Sequence, residues 1–329
     1  MNFLPKNDGI DHINIYSQGQ TKIGQLLSNF AHTPFRVPLM GTFQSVEGFW
    51  YYCLIGKKEL KNLVGFEAKQ FGKRHLKIKD TVDSRLLEIA YRAKLRDNLY
   101  IIPKLLLMLH SKLQIAHYYV YGGKAVTPKE FQWIAELWKE IPINILPTKD
   151  KVFRALTYFK PQQTKAIIIG QDPYPNPEDA CGLAFSVEHN KPPASLKNIF
   201  KELKTDLNIN SPKTGNLEPW AKQGVLLLNS VLTTEKGKSG AHKNIGWEEI
   251  TTNTIQKALD CKQPIVIIAW GFDAKKKLET LKLHDKVLVL TGGHPSPLNT
   301  SVSFLGGKYF SKANAFLNTN GIKEIDWRL

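Results

Sequence analysis

Four short apolar runs constrain this chain more than any other feature: Ala166-Ile167-Ile168-Ile169, Val225-Leu226-Leu227-Leu228, Ile265-Val266-Ile267-Ile268-Ala269-Trp270 and Val287-Leu288-Val289-Leu290. Each reads as a buried strand, apolar on both faces. The segments between them carry helical spacing over 195–207, with Ser195 as the expected cap, over 247–259 and over 273–282. Continuous apolar strands spaced by helices predict an α/β fold, a central parallel sheet of four strands covered by helices on both faces.

In such sheets a ligand binds outside the carboxyl ends of the strands. Residues able to do chemistry stand there in this sequence. Gly170-Gln171-Asp172-Pro173-Tyr174-Pro175 follows the first run, Asn229 ends the second, Gly271 follows the third, and His294-Pro295-Ser296-Pro297-Leu298 follows the fourth. Asp172 could orient a water, act as a base or stabilise a cation; the competing reading is a turn-forming Asp-Pro. Tyr174 could wall a pocket or plug the core. Asn229 offers a donor and an acceptor side by side, suited to a planar base, or serves as a strand-end amide bonded to a loop. His294 could donate to an oxyanion or be a structural histidine. Phe185 is either core or a stacking platform. Lys191-Pro192-Pro193-Ala194-Ser195 is a stiff loop before a helix N-terminus, suited to a phosphate. Leu298, at a proline-stiffened tip, is a candidate wedge between bases or an ordinary packing residue. Taken singly, each structural alternative is the better reading; their convergence on one sheet edge favours function.

Charge narrows the partner. The chain of 329 residues has a formal net charge of +16, a surplus that points to a polyanion, foremost nucleic acid. Both halves share it: the first 124 residues hold 18 Lys and Arg against 9 Asp and Glu, the rest 27 against 20. The length predicts two domains, with a boundary over 122–130, where Gly122-Gly123 stops one element and Thr127-Pro128 starts a helix over 129–141. Cys53, Cys181 and Cys261 lack metal-ligand or disulfide-framework spacing, which fits a reducing compartment. No apolar run has transmembrane length and the N-terminus lacks a signal-peptide pattern, so no membrane partner is expected.

The motifs Gly170-Gln171-Asp172-Pro173-Tyr174, Gly182-Leu183-Ala184-Phe185-Ser186-Val187, Trp220 to Asn229, and His294-Pro295-Ser296-Pro297-Leu298 together resemble family 1 uracil-DNA glycosylases over residues 128–329. The resemblance implies base flipping and hydrolysis of the N-glycosidic bond of uracil in single- or double-stranded DNA. It implies Asp172 and His294 as catalytic groups, with Gln171, Tyr174, Phe185 and Asn229 binding the base. It implies Pro192, Pro193, Ser195, Gly271 and Ser296 as phosphate contacts and Leu298 as the wedge. It calls for no metal or cofactor, and implies repair or replication proteins and a proteinaceous glycosylase inhibitor as partners. The implied location is cytoplasm (the host's for a virus) or, in a eukaryote, the nucleus. The alternative function is a non-catalytic DNA-binding or processivity partner that keeps the fold. The sequence departs from the family pattern at Pro175 (usually His), at Phe272 (usually Ser) and in Asn299–Phe304, which lacks the usual basic residue. Each departure predicts a weaker DNA clamp.

Residues 1–124 read as mainly helical. Leu27-Ser28-Asn29-Phe30, Ser45-Val46-Glu47 and Ala68-Lys69-Gln70-Phe71-Gly72-Lys73 are similar to NADAR-type domains, which implies an N-glycosidase acting on ADP-ribose-type compounds with Glu47 as its candidate residue. Gly48 stands where that family usually has His, and Tyr118, Tyr119 and Tyr121 replace its tryptophan-bearing end. The alternative is a basic docking module using those tyrosines, Arg74 and Lys77.

Overall fold

The computed structural model describes residues 3–76, 84–111, 113–116, 119–121, 124–126, 144–299 and 302–329. The expected helix over 129–141, Lys77, Tyr118, most of the expected boundary and the side chains of Tyr119 and Tyr121 lie outside them. The chain divides into two compact units, Met1–Ile143 and Asn144–Leu329.

The first unit has helices Lys22–Leu27, Val46–Ile55, Gly65–His75, Ser84–Asp97 and Ile101–His110. Two begin on hydroxyl caps: Thr21 Oγ1 accepts the Gly24 N–H and Ser45 Oγ accepts the Gly48 N–H, each at 3.1 Å, satisfying amides that have no partner inside the helix. Short strands accompany them: β1 (His12–Asn14), β2 (Phe35–Val37), β3 (Gly41–Phe43), β4 (Gln114–Ala116), β5 (Tyr119–Tyr121) and β6 (Lys124–Val126). Strands β1 and β4 pair in parallel, while β2–β3 and β5–β6 are antiparallel. The Phe43 and Phe49 rings meet edge-on at 5.1 Å in the core.

The second unit is built on β7 (Ala166–Gly170), β8 (Val225–Asn229), β9 (Ile265–Trp270) and β10 (Val287–Gly292), all parallel, in the order β10-β9-β7-β8. Every residue of β7, β8 and β9 is buried. Strand β10, equally apolar in sequence, is an edge strand and only half-buried along Val287–Leu290. The register aligns the carboxyl ends, with Gly170 opposite Asn229 and Gly292 opposite Trp270. Trp270 packs edge-on against Phe304 at 5.1 Å and Tyr309 at 5.4 Å, so β9 ends on an aromatic cluster.

Helix Trp247–Leu259 matches its expected span, and two others differ. The helix expected from Ser195 starts at Ala194, and Pro193 occupies the cap position in extended geometry. Pro193 has a φ suited to helix entry but offers no side-chain acceptor, so the first-turn amides have no side-chain cap and Ser195 lies inside the helix. The helix expected over 273–282 is Phe272–Leu278. Its continuation tightens, with the Thr280 N–H bonding the Lys277 carbonyl and the Leu281 N–H that of Leu278, both three residues back. Helix Tyr309–Thr319, not anticipated, buries Tyr309, Phe310, Ala313 and Leu317, a spacing that was there to be read.

Candidate active site

The ends of β7 and β8 and the loops after β9 and β10 place side chains around one pocket of about 150 Å³, lined among others by Gln171, Asp172, Tyr174, Phe185, Ser195, Asn229 and His294. Apolar cavities of ~150 Å³ hold a benzene-sized guest, so this pocket has room for one six-membered ring.

Asp172 follows β7 by two residues and its carboxylate is anchored from outside the sheet. The Gly240 N–H donates to Oδ2 at 2.6 Å, Ser239 Oγ lies 3.2 Å from the same oxygen, and Gln171 Nε2 donates to Oδ1 at 2.9 Å. A carboxylate held by several donors keeps one orientation. No sequence motif points to Ser239 and Gly240. Gly237-Lys238-Ser239-Gly240 announces a turn, but nothing in it says which strand end it covers. The Gly237 N–H bonds the Pro175 carbonyl at 2.9 Å, so the residue that departs from the family pattern ties this loop down over Asp172.

His294 follows β10. The Ser296 N–H donates to its Nδ1 at 3.0 Å, which places the ring proton on Nε2. Burial pushes the imidazole below its usual range, against the opposing charges of Asp273 and Asp172. The ring is thus a neutral donor, and Nε2 has no acceptor among the described residues.

Asn229 closes β8 and is 7% exposed. Among the described residues its side-chain amide makes no hydrogen bond, which is costly for a buried polar group unless a ligand completes it. Its place depends on Gly170: a Cβ there would stand 2.1 Å from Asn229 Oδ1.

Phe185 has φ 63°, a left-handed conformation that costs a bulky residue on the order of 1–3 kcal/mol and recurs at functional positions. Its ring lies 5.6 Å from Trp270 and 6.0 Å from His294. Tyr174 donates from Oη to the Phe185 carbonyl at 3.3 Å, and burial raises its phenol well above the usual range. It is a neutral wall.

Of the expected phosphate contacts, only Ser195 is among the residues lining this pocket; Pro192 and Pro193 precede it, outside the lining. Gly271 turns with φ 85° and borders an adjoining cleft, where a Cβ would meet His294 Cβ at 2.8 Å. Ser296 Oγ accepts the Leu298 N–H at 3.2 Å. Leu298 is 91% exposed, as a wedge requires and as core packing does not allow. Glu47 belongs to the other unit and is no part of this pocket. No cluster of His, Cys, Asp and Glu fit to hold a metal occurs among the described residues.

The family model of the uracil DNA glycosylase superfamily matches residues 156–318. A uracil-DNA glycosylase of Azotobacter vinelandii is 46% identical over 187 residues, 56% of this chain and 80% of its own length. Among solved structures, mimivirus uracil-DNA glycosylase aligns with a TM-score of 0.54 at 29% identity, over 61% of this chain and 80% of its own. A substituted form of the mimivirus protein in complex with UGI aligns with a TM-score of 0.54 at 31% identity, over 60% of this chain and 82% of that one.

Proposed function

The chain belongs to the uracil-DNA glycosylase superfamily and is a DNA repair enzyme that removes uracil from DNA; from that premise we propose how its residues divide the reaction. One observation carries the assignment: an anchored carboxylate, an imidazole of fixed tautomer and an unbonded amide meet at one ring-sized pocket.

As the glycosidic bond breaks, its electron pair goes to the base and the sugar becomes cationic. The Asp172 carboxylate faces that cation, orients the water that adds to C1′ and takes up the proton this water loses as its oxygen bonds to carbon. His294 Nε2–H donates to uracil O2, where negative charge develops, with the Gln171 and Asp172 amides beside it. Asn229 gives its NH2 to O4 and accepts from N3–H; cytosine presents the reverse pattern at both atoms. Tyr174 stands against C5 and excludes a methyl group, and Phe185 stacks on the ring. Pro192, Pro193, Ser195, Gly271 and Ser296 hold the backbone while Leu298 fills the gap left by the flipped nucleotide. An inhibitor of the UGI kind belongs to the same proposal.

The test is base release from uracil-containing oligonucleotides, single- and double-stranded, beside thymine and cytosine controls. Uracil alone should be released, Asp172→Asn should lower kcat by about 10²–10³-fold, and Asn229→Asp should begin to release cytosine. DNA binding by the wild type without any base release would favour the non-catalytic alternative.

For the first unit we propose a second N-glycosidase acting on ADP-ribose-type compounds. What supports it is Glu47, 9% exposed in the first turn of helix Val46–Ile55, whose carboxyl burial pushes up to about 7 against the opposing charges of Lys69 and Lys73. Such an acid is half-protonated near neutral pH and suited to proton transfer. Release of ADP-ribose from ADP-ribosylated compounds should occur with the wild type and vanish in Glu47→Gln. Turnover that survives this change would overturn the assignment, and its absence in the wild type would favour the docking alternative.

A further inference from the structure

One aromatic ring beside the pocket has no part in the steps above. Phe272 opens helix Phe272–Leu278 directly after the Gly271 turn and is 79% exposed. Among the described residues no other ring contacts it, so it does not belong to the aromatic cluster under β9. It borders a cleft of about 380 Å³ that shares two walls, Gln171 and His294, with the uracil pocket. Asn299, Val302 and Lys275 also line the cleft. The one carboxylate in the lining, Asp273, is ion-paired with Lys243 at 3.0 Å.

We propose that this cleft is a subsite for the nucleobase next to the uracil nucleotide, with the Phe272 ring as its stacking platform. The inference rests on the uracil-DNA reading of the neighbouring pocket. A nucleotide bound there brings its neighbour to the shared wall, where an exposed ring, an apolar partner in Val302 and a cation in Lys275 await a base and its phosphate. Every base has a face to stack, so the subsite reads position and not sequence. A single strand can turn a base into the cleft freely, whereas a duplex must first unstack and unpair it. The contribution of Phe272 is therefore larger on single strands. A free-standing ring beside a DNA pocket on a chain of net charge +16 suits a nucleic acid better than a protein partner.

Two readouts test this. An oligonucleotide with a tetrahydrofuran abasic analogue, flanked on one side and then the other by 5-iododeoxycytidine, should photocrosslink to Phe272 from one flank, as mapped by mass spectrometry. The crosslink should be lost in Phe272→Ser and kept in Phe272→Trp. On uracil substrates, Phe272→Ser should lower kcat/KM on single strands by about tenfold through KM, with a smaller fall on duplexes and kcat unchanged. Crosslinking from either flank only to other residues, or an equal fall on both substrates, would overturn the proposal. The crosslink needs no base release, so it judges the subsite separately; a wild type that released no uracil would sink the uracil reading alone.

Discussion

His294 shows how one hydrogen bond sets a chemical role. With Nδ1 accepting the Ser296 N–H, protonation would put a second proton where a donor already points. Burial acts in the same direction, lowering the imidazole below its ordinary value of 6.5. The working form is therefore the neutral ring, present above its lowered pKa and lost as pH falls through it. The acid limb that His294 imposes on kcat/KM should lie below pH 6.5. An inflection above 6.5 that disappears in His294→Gln would contradict a neutral donor. Truncation to Ala should cost about 10²–10³-fold in kcat, as removal of one oxyanion donor does. The sequence showed His294 at a strand end, but not its tautomer, which needs the fold of Pro295 and Ser296 back onto the ring. Asp172 was equally legible, whereas its anchors Ser239 and Gly240 were not, because they lie 67 and 68 residues away along the chain.

At the scale of elements, the pairing of β7 with β8 places the specificity amide. Gly170 faces Asn229 across the ladder, and the missing Cβ leaves room for Oδ1. Gly170→Ala should force the Asn229 amide aside. Discrimination of uracil from cytosine should fall, and overpacking should destabilise the unit by about 1–3 kcal/mol; base-release assays and thermal unfolding read the two effects. Unchanged selectivity would mean that Asn229 is not held by this contact. The three fully buried strands were readable as apolar runs. The half-exposure of β10 was not: β8 also ends the sheet yet is buried throughout, so which edge the surrounding helices and loops cover is decided by tertiary packing and not by apolar composition. The shift of the helix start from Ser195 to Ala194 has a similar cause: a proline and a serine can each begin a helix, and local packing chooses between them.

Across the whole molecule, charge reports the partner and geometry reports the chemistry. A net +16 divided between both halves predicts DNA affinity that falls steeply with salt as counterions are released. Lys191, exposed at the start of the stiff loop before helix Ala194–Leu207, is a candidate phosphate contact. Lys191→Gln should reduce the slope of log affinity against log salt on duplex DNA by about 0.9. A slope equal to that of the wild type would remove Lys191 from the interface.

The parallel α/β core, the edge of it that binds a ligand and the residues standing there were all legible in the order of amino acids, because hydrophobic periodicity and strand-end chemistry are local properties. Contacts between distant segments were not. The Gly237–Gly240 loop over Asp172, the opening that Gly170 leaves for Asn229, the Trp270 support beneath Phe185 and the exposure of Phe272 each join or separate residues far apart along the chain. Such meetings depend on how the helices and loops pack around the sheet, and that packing emerges only when the whole unit has buried its apolar surface.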